Sequence, residues 1–483
     1  MKIRPYKIAI YIWTTIALLG VISWAAPDNG GWTIGKFTLR WPTISKVLDK
    51  EKPNQEPIVD FIFEDDSLSI DPLANAIDTI VSVDSLPKPK STNIPTIATS
   101  DTDTRQYLTA FYQALDSTDV MSIRVVHYGD SQIEEDRITS ILREKLQTTY
   151  GGGGVGLIPL HQTIPTRSLQ QTISMNGVVQ TTKGGPKRYL VYGPRSMRLE
   201  GDNYGVMGQV AVMDCTLVQG SENITMNIAP LYNKPKSHNY FNQLRILADS
   251  ISVSITNPNI DSLIIVDQSS LLVMPDSTTH CELHLEGKGA IYGISLETKN
   301  GIIVDNIPMR GSSGNMFTRI DSTALHSFFD ETNTRLIILQ FGGNMIPNTE
   351  NPSTISGYVK TLRQQVRYMR ACAPQASILF IGPSDMSTRI DGTMTTYPLV
   401  PYLDKLLEKM AQEEQIGYWS MYNAMGGYNS MVDWNAKGLA GSDYVHFTRS
   451  GANKIGTMLY TWLTDYTPST QPIDSLQTDT TSL

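Results

Sequence analysis

The stretch VVHYGDSQIEED, Val125 to Asp136, decides the fold. An apolar run from Ile123 to Tyr128 has the length and β-branched content of a strand, and it stops at Gly129-Asp130-Ser131. After it, Ile138, Ile141, Leu142 and Leu146 recur at helical spacing, so the stretch reads as a strand that turns at once into a helix. In a parallel α/β sheet that turn lies at the C-terminal edge, where helix N-termini point their N–H groups outward. A serine placed there is well situated to act as a nucleophile.

Downstream, the same alternation returns. GIIVDNIPM, LIILQF, ILFIG and GYWSMY read as buried strands. Between and after them, Val359, Leu362, Val366 and Met369, then Leu399, Leu403, Leu406, Leu407 and Met410, and finally Ala452, Ile455, Leu459, Trp462 and Leu463 each mark one face of a helix. The fold class is therefore α/β, a three-layer α/β/α parallel sheet covered by helices on both faces. From about Val155 to Asn300 the texture differs. RYLVYG, GQVAVMD, NITMNIAP, SISVSIT, SLIIVD, CELHLEG and AIYGISLE are short β-like runs broken by Gly, Asn, Asp and Pro, which predicts an inserted β-sandwich, jelly-roll-like domain.

The 483-residue chain has 39 Lys and Arg against 47 Asp and Glu, a formal net charge of -8, and no basic run. Attraction to nucleic acid has no support in that balance. Lys2, Arg4 and Lys7 precede an apolar run from Ile8 to Ala26, the order of an export signal. Ser23 and Ala25 offer a cleavage site, while the length of the run favours an uncleaved transmembrane anchor on the periplasmic or cell-surface route. The expected domain order is signal or anchor 1–26, extended polar linker 27–103, first part of the catalytic domain 104–155, insert 156–300, second part 301–466, and disordered tail 467–483. With three cysteines and no CxxC pair, neither a cysteine nucleophile nor a cysteine metal site is expected, although one Cys215–Cys281 bridge is compatible with the count. His280 and His284 lack a third ligand at metal spacing, so no metal and no cofactor are expected.

The residues just past the strand ends supply the parts for acyl transfer. Serine is a weak nucleophile and needs a base; SDYVHFTRSG, just before the last helix, offers His446, with Asp443 to fix its tautomer. The tetrahedral intermediate needs fixed donors, which the N–H groups of Ser131 and Gly311 and the side-chain amide of Asn344 could provide. Asp130 reads as a turn residue, His127 as a core residue, and Gly151 to Gly156 as a flexible connector rather than a phosphate loop, because no Lys-Ser/Thr comes after it. Tyr204 and Tyr240 read as core residues by default, with stacking on sugar rings as the alternative, and Arg137 and Arg310, close in sequence to the site, read either as solvated or salt-bridged or as contacts for a sugar or carboxylate.

Taken in order, GDS at Gly129 to Ser131, a glycine after the second strand, GxN at Gly342 to Asn344 and DxxH at Asp443 to His446 resemble the four blocks of the SGNH (GDSL-like) hydrolases. The resemblance covers roughly 104–155 and 301–466. It implies Ser131 as nucleophile, His446 as base, Asp443 as its partner, and Ser131, Gly311 and Asn344 as oxyanion donors. Gln132 stands where that family often has leucine, and PMRGSSG offers Gly314 as well as Gly311. The inserted β-domain is similar to the architecture of bacterial peptidoglycan O-acetylesterases. The implied activity is an exported serine esterase acting on acyl, chiefly O-acetyl, esters of carbohydrate. An O-acetyltransferase served by a membrane acyl-transfer partner and a non-catalytic carbohydrate-binding protein are the alternatives.

Overall fold

Strand β1, Ser122–Gly129, is buried over nearly its whole length, as an interior strand of a sheet covered on both faces must be. The computed structural model that shows this describes residues 31–34, 37–40, 94–99, 102–180, 185–213, 224–231, 239–257 and 260–466. The expected signal or anchor, most of the linker, the C-terminal tail and Cys215 lie outside the described residues. Two units divide the chain, Met1–Ser82 and Val83–Leu483. In the first, Gly31–Ile34 pairs antiparallel with Phe37–Arg40. Among the described residues no helix is long and apolar enough to cross a membrane.

The second unit holds a five-stranded parallel sheet. Its strands are β1, β2 (Gly301–Pro308), β3 (Thr334–Gln340), β4 (Ser377–Ile381) and β5 (Gly417–Trp419), in the spatial order β2-β1-β3-β4-β5. From β1 the chain goes to β2 on one side and then to β3 on the other, so the topological switch lies between β1 and β3. A crevice opens beyond the strand ends at such a point. Successive side chains of a strand point to opposite faces. Thus Ile123 and Val125 join a core with helices α1 (Thr109–Leu115), α2 (Thr139–Tyr150) and, at the other end of the chain, Arg449–Thr464. Val126 and Tyr128 face the opposite core, with α3 (Ser322–Glu331), α4 (Pro352–Cys372) and α5 (Val400–Glu414). Two of these helices start on capping residues: Asp321 accepts from Thr323 and Ala324 N–H, and Asn351 accepts from Ser353 N–H with Pro352 beginning the first turn.

Between α2 and β2 lies an antiparallel β-insert of ten strands joined in one hydrogen-bonded sheet. Two long strands, Phe241–Asn257 and Ile260–Thr278, run side by side through it. On its other edge the first of these pairs with Gly289–Glu297 over Gln243 to Asp249 and with Cys281–Glu286 over Ser252 to Thr256, and its register against the second long strand shifts between Ala248 and Ile251. The insert has its own core, which includes Ile246, Val253, Leu283 and Ile294. It also contributes Tyr204, Val206, Met207 and Val210 to the core beneath β1. Tyr204 and Tyr240 serve packing: Tyr204 is buried, and the Tyr240 hydroxyl donates to Gly152 O. The side chain of Cys281 is buried and packs in the insert core, while Cys215, its candidate partner, lies outside the described residues.

The connector at Gly151 to Gly156 is tightly packed, not slack. Gly151 O accepts from Ile302 N–H at 3.0 Å, and the Gln147 amide donates to Gly154 O at 3.0 Å. A Cβ on Gly152, at φ +106, would lie 2.6 Å from the Ile302 backbone, and one on Gly154, at φ +77, 2.2 Å from Leu296 O. The glycines are there for close approach of two backbones. Below them a buried ionic network joins the insert to the sheet: Arg124 pairs with Asp305 at 2.7 Å and with Glu297 at 2.5 Å, while Arg245 pairs with Glu297 at 3.2 Å and with Glu331.

Candidate active site

The segment after β1 is where the structure departs from the expected helix start. Ser131–Asp136 forms 3-10 turns interrupted at Glu134, which is extended, and at Glu135 and Asp136, both left-handed at φ 60 and 61; the α-helix begins only at Thr139. Two adjacent non-glycine residues at positive φ cost of order 1–3 kcal/mol each and persist only when neighbours over-determine them. The neighbours are visible here. Asp136 pairs with Arg143 at 2.5 Å and accepts from the Ser168 hydroxyl, and Arg143 also donates to Val304 O. Glu135 O accepts from Arg167 N–H at 2.9 Å, and its carboxylate pairs with Arg137 and Arg167. Arg167 and Ser168 belong to the insert, which therefore helps to fix the Ser131 loop.

Ser131, His446 and Asp443, 315 and 3 positions apart in sequence, meet at the crevice. Ser131 Oγ lies 2.8 Å from His446 Nε2, and His446 Nδ1 lies 2.7 Å from Asp443 Oδ2. The second Asp443 oxygen accepts from the N–H groups of Val445 and His446 at 3.0 and 3.1 Å. Burial pushes the Asp443 carboxyl up, but these hydrogen bonds, led by that of the His446 ring, outweigh it and hold it at about 2. Two short helices come after β5, α6 (Met421–Met425) and α7 (Ser430–Ala436). The base sits beyond them, immediately before helix α8, Arg449–Thr464, which Thr448 caps by accepting from Gly451 N–H.

Asn344 lies just past β3 and is drawn to the same place. Its Nδ2 donates to Ser312 O at 3.0 Å and to Asp130 Oδ2 at 3.4 Å. Asp130 also accepts from Gln132 N–H at 3.0 Å, the turn role expected of it. Its carboxyl is raised to about 6 by burial, against the Gln132 N–H and the nearby imidazole. The loop after β2 separates its two glycines. Gly314 N–H donates to Ser312 Oγ at 3.1 Å, and a Cβ there would meet the Phe341 ring at 2.6 Å. The N–H groups of Gly311 and Ser131 have no hydrogen-bond partner among the described residues. Beside Ser131 is a cavity of about 180 Å³, lined by Asn344, Pro347, Pro383, Met386, Met421 and Val445 among others.

A comparison with solved structures finds a peptidoglycan O-acetylesterase, 20% identical, at a TM-score of 0.58 over 74% of this chain and 95% of that one. The chain shares the fold of that esterase. Lesser overlaps are with a family two carbohydrate esterase from Cellvibrio japonicus (12% identity, TM-score 0.24, 60% of this chain and 99% of that) and an acetyl xylan esterase (12%, 0.25, 33% and 80%). No family model matches the sequence, and no curated protein matches it.

Within this fold, one residue that the sequence did not single out for the site is Gln132. Its side-chain amide donates to Val445 O at 2.7 Å, tying the turn of the serine to the loop of the histidine. Its place after the serine was visible in the sequence, but nothing local shows a partner so far along the chain. His127 is buried and neutral, with its imidazole lowered to about 3 by burial, and bonds Gln340 and Thr139 at 3.0 Å each. No cluster suited to a metal ion occurs among the described residues.

Proposed function

We propose that the protein is an SGNH-family serine esterase that removes acyl groups, acetyl above all, from carbohydrate. The observation that carries this reading is the unbroken hydrogen-bonded line from Ser131 Oγ to His446 to Asp443 beside a small cavity. In the first step His446 Nε2 takes the Ser131 proton as Oγ attacks the ester carbonyl. The oxyanion is received by the N–H groups of Ser131 and Gly311, and by the Asn344 amide as it turns from Asp130. His446 then hands its proton to the departing sugar oxygen, leaving acyl-Ser131. Water, deprotonated by His446, attacks that ester, and the acid leaves as the proton returns to Oγ. Asp443 remains ionised throughout and stabilises the imidazolium.

At about 180 Å³ the cavity is smaller than the ~300–1,000 Å³ of sites that enclose a drug-sized ligand, which suits a short acyl chain and leaves the alcohol outside. The likeness of fold to a peptidoglycan O-acetylesterase supports an acetylated glycan as the substrate class. The export-type segment in the sequence supports action outside the cytoplasm, with the apolar run as membrane anchor, and the switch of the long strand from one partner to another between Asp249 and Ser252 supports a jelly-roll-like insert. The test is release of acetate from O-acetylated polysaccharide and from p-nitrophenyl acetate, with Ser131→Ala as control. The proposal requires both activities in the wild type and their loss in the variant. Acetyl appearing on an acceptor sugar instead of as free acetate would make the protein an acetyltransferase using the same serine, and no turnover of either ester would leave a binding protein.

A further inference from the structure

The strained turn after Ser131 has a result besides placing the serine: it leaves Glu134 beside Arg310. Glu134 is buried, only 9% exposed, yet among the described residues its carboxylate has one partner, Arg310 Nη1 at 3.5 Å. That distance is an ion pair without a good hydrogen bond. The Arg310 side chain is 58% exposed. Burial raises the Glu134 carboxyl, offset first by Arg310 and then by Arg137; His446 acts on it as well, so it stands within electrostatic range of the base.

Arg310 directly precedes Gly311, and this loop is held from both sides of that glycine: Arg310 to Glu134, and Ser312 O to Asn344. Neither Glu134 nor Arg310 lines the small cavity, so the pair stands apart from the pocket assigned to the acyl chain. The surroundings are positive. Arg137, Arg167 and Arg310 stand against Glu134 and Glu135, an excess of one positive charge on a chain of net charge -8. Donors also exceed acceptors, since Arg167 Nη1 has no partner among the described residues.

We infer that Glu134 and Arg310 form the subsite for the sugar that leaves, Glu134 accepting a ring hydroxyl next to the ester and Arg310 receiving a carboxylate on that sugar, so that the enzyme prefers acetylated acidic sugars. This rests on the esterase reading above. The energetic cost of holding the turn at Glu135 and Asp136 is then accounted for, because it fixes the acceptor before substrate arrives.

The experiment compares kcat/KM for an O-acetylated methyl glucuronide, the matching O-acetylated methyl glucoside and p-nitrophenyl acetate at low ionic strength. The wild type should favour the acidic over the neutral sugar by about five-fold, the upper end of what one exposed ion pair contributes. Added salt should erode that preference. Arg310→Ala should bring the ratio to about one and Arg310→Lys should keep part of it; being exposed, Arg310 leaves no buried void when truncated. Glu134→Gln should raise the acidic-to-neutral ratio, since a neutralising charge is gone, while lowering both sugars relative to the aryl ester. An acidic-to-neutral ratio of one in the wild type, or one unchanged in Arg310→Ala, overturns the subsite while aryl acetate turnover still upholds the esterase. Absence of turnover with all three esters overturns both.

Discussion

Gln132 Nε2 donates to the carbonyl oxygen of Val445 at 2.7 Å, joining the residue after the serine to the residue before the histidine. Since Ser131 and His446 lie on loops from opposite ends of the chain, this bond sets the distance across which the proton must move. Gln132→Ala should therefore lower kcat by about ten-fold or more, because small misplacement of reacting groups is costly. KM should change little, and stability should fall by only about 1 kcal/mol for the lost hydrogen bond. Steady-state kinetics alongside urea unfolding checks this; a variant with full kcat would show that the tether does not set the geometry.

Asn344 holds Ser312 O and Asp130 in the resting site, and the mechanism asks it to turn to the oxyanion. Asn344→Ala should lose about 10²–10³ in kcat, the usual effect of removing one such donor. If the residue only braced the loop, the loss would appear in the melting temperature and not in kcat.

The fold tolerates a buried ionic network at considerable cost in desolvation, and breaking one partner should show it. Arg124 is 1% exposed and serves Asp305 and Glu297 together. Arg124→Met should destabilise the sheet and insert by about 3–5 kcal/mol, because Asp305 is left buried without its cation and Glu297 keeps only Arg245. Denaturant unfolding of the variant measures this directly, and a loss below about 1 kcal/mol would mean that the network relaxes or takes up water.

The contribution of Asp404 to stability should rise on mild acidification. Asp404 accepts from the Tyr418 hydroxyl at 2.6 Å and the Ser420 hydroxyl at 2.7 Å, and burial still raises its carboxyl to about 6. A carboxyl whose folded value exceeds its unfolded value contributes stability that is fully present below the unfolded value, about 4, and lost as pH rises through about 6. Asp443 has the opposite sign, contributing above about 4 and losing it as pH falls through about 2, but it is half exposed and screened to under about 1 kcal/mol. The stability difference between wild type and Asp404→Asn should thus be larger at pH 4 than at pH 7 by about 1–3 kcal/mol. A difference independent of pH would refute the assignment.

The parallel strands were legible because they are buried on both faces and so are mostly apolar; LIILQF and ILFIG overlap β3 and β4 as expected. Helices α4, α5 and α8 were legible for a different reason, the 3.6-residue spacing of one buried face. SISVSIT and SLIIVD were recognised as strands but not as parts of strands of 17 and 19 residues, since their extensions alternate with polar residues that pair across the ladder. The left-handed pair at Glu135 and Asp136 could not be read, because nothing local favours it: the ion pairs that impose it reach to Arg143 and Arg167. Arg124 was invisible for the same reason, with partners 173 and 181 positions away. DxxH was readable as a motif, while its meeting with Ser131 is a property of the folded sheet alone.

The most direct measurement is the site of covalent capture. The protein, treated with a fluorophosphonate and digested, is analysed by mass spectrometry, with His446→Ala treated in parallel. The predicted result is a single phosphonylated peptide carrying the label on Ser131, formed rapidly in the wild type and at least ~10³-fold more slowly without the imidazole. Label on another residue, or equal rates in the two proteins, would contradict a serine activated by His446.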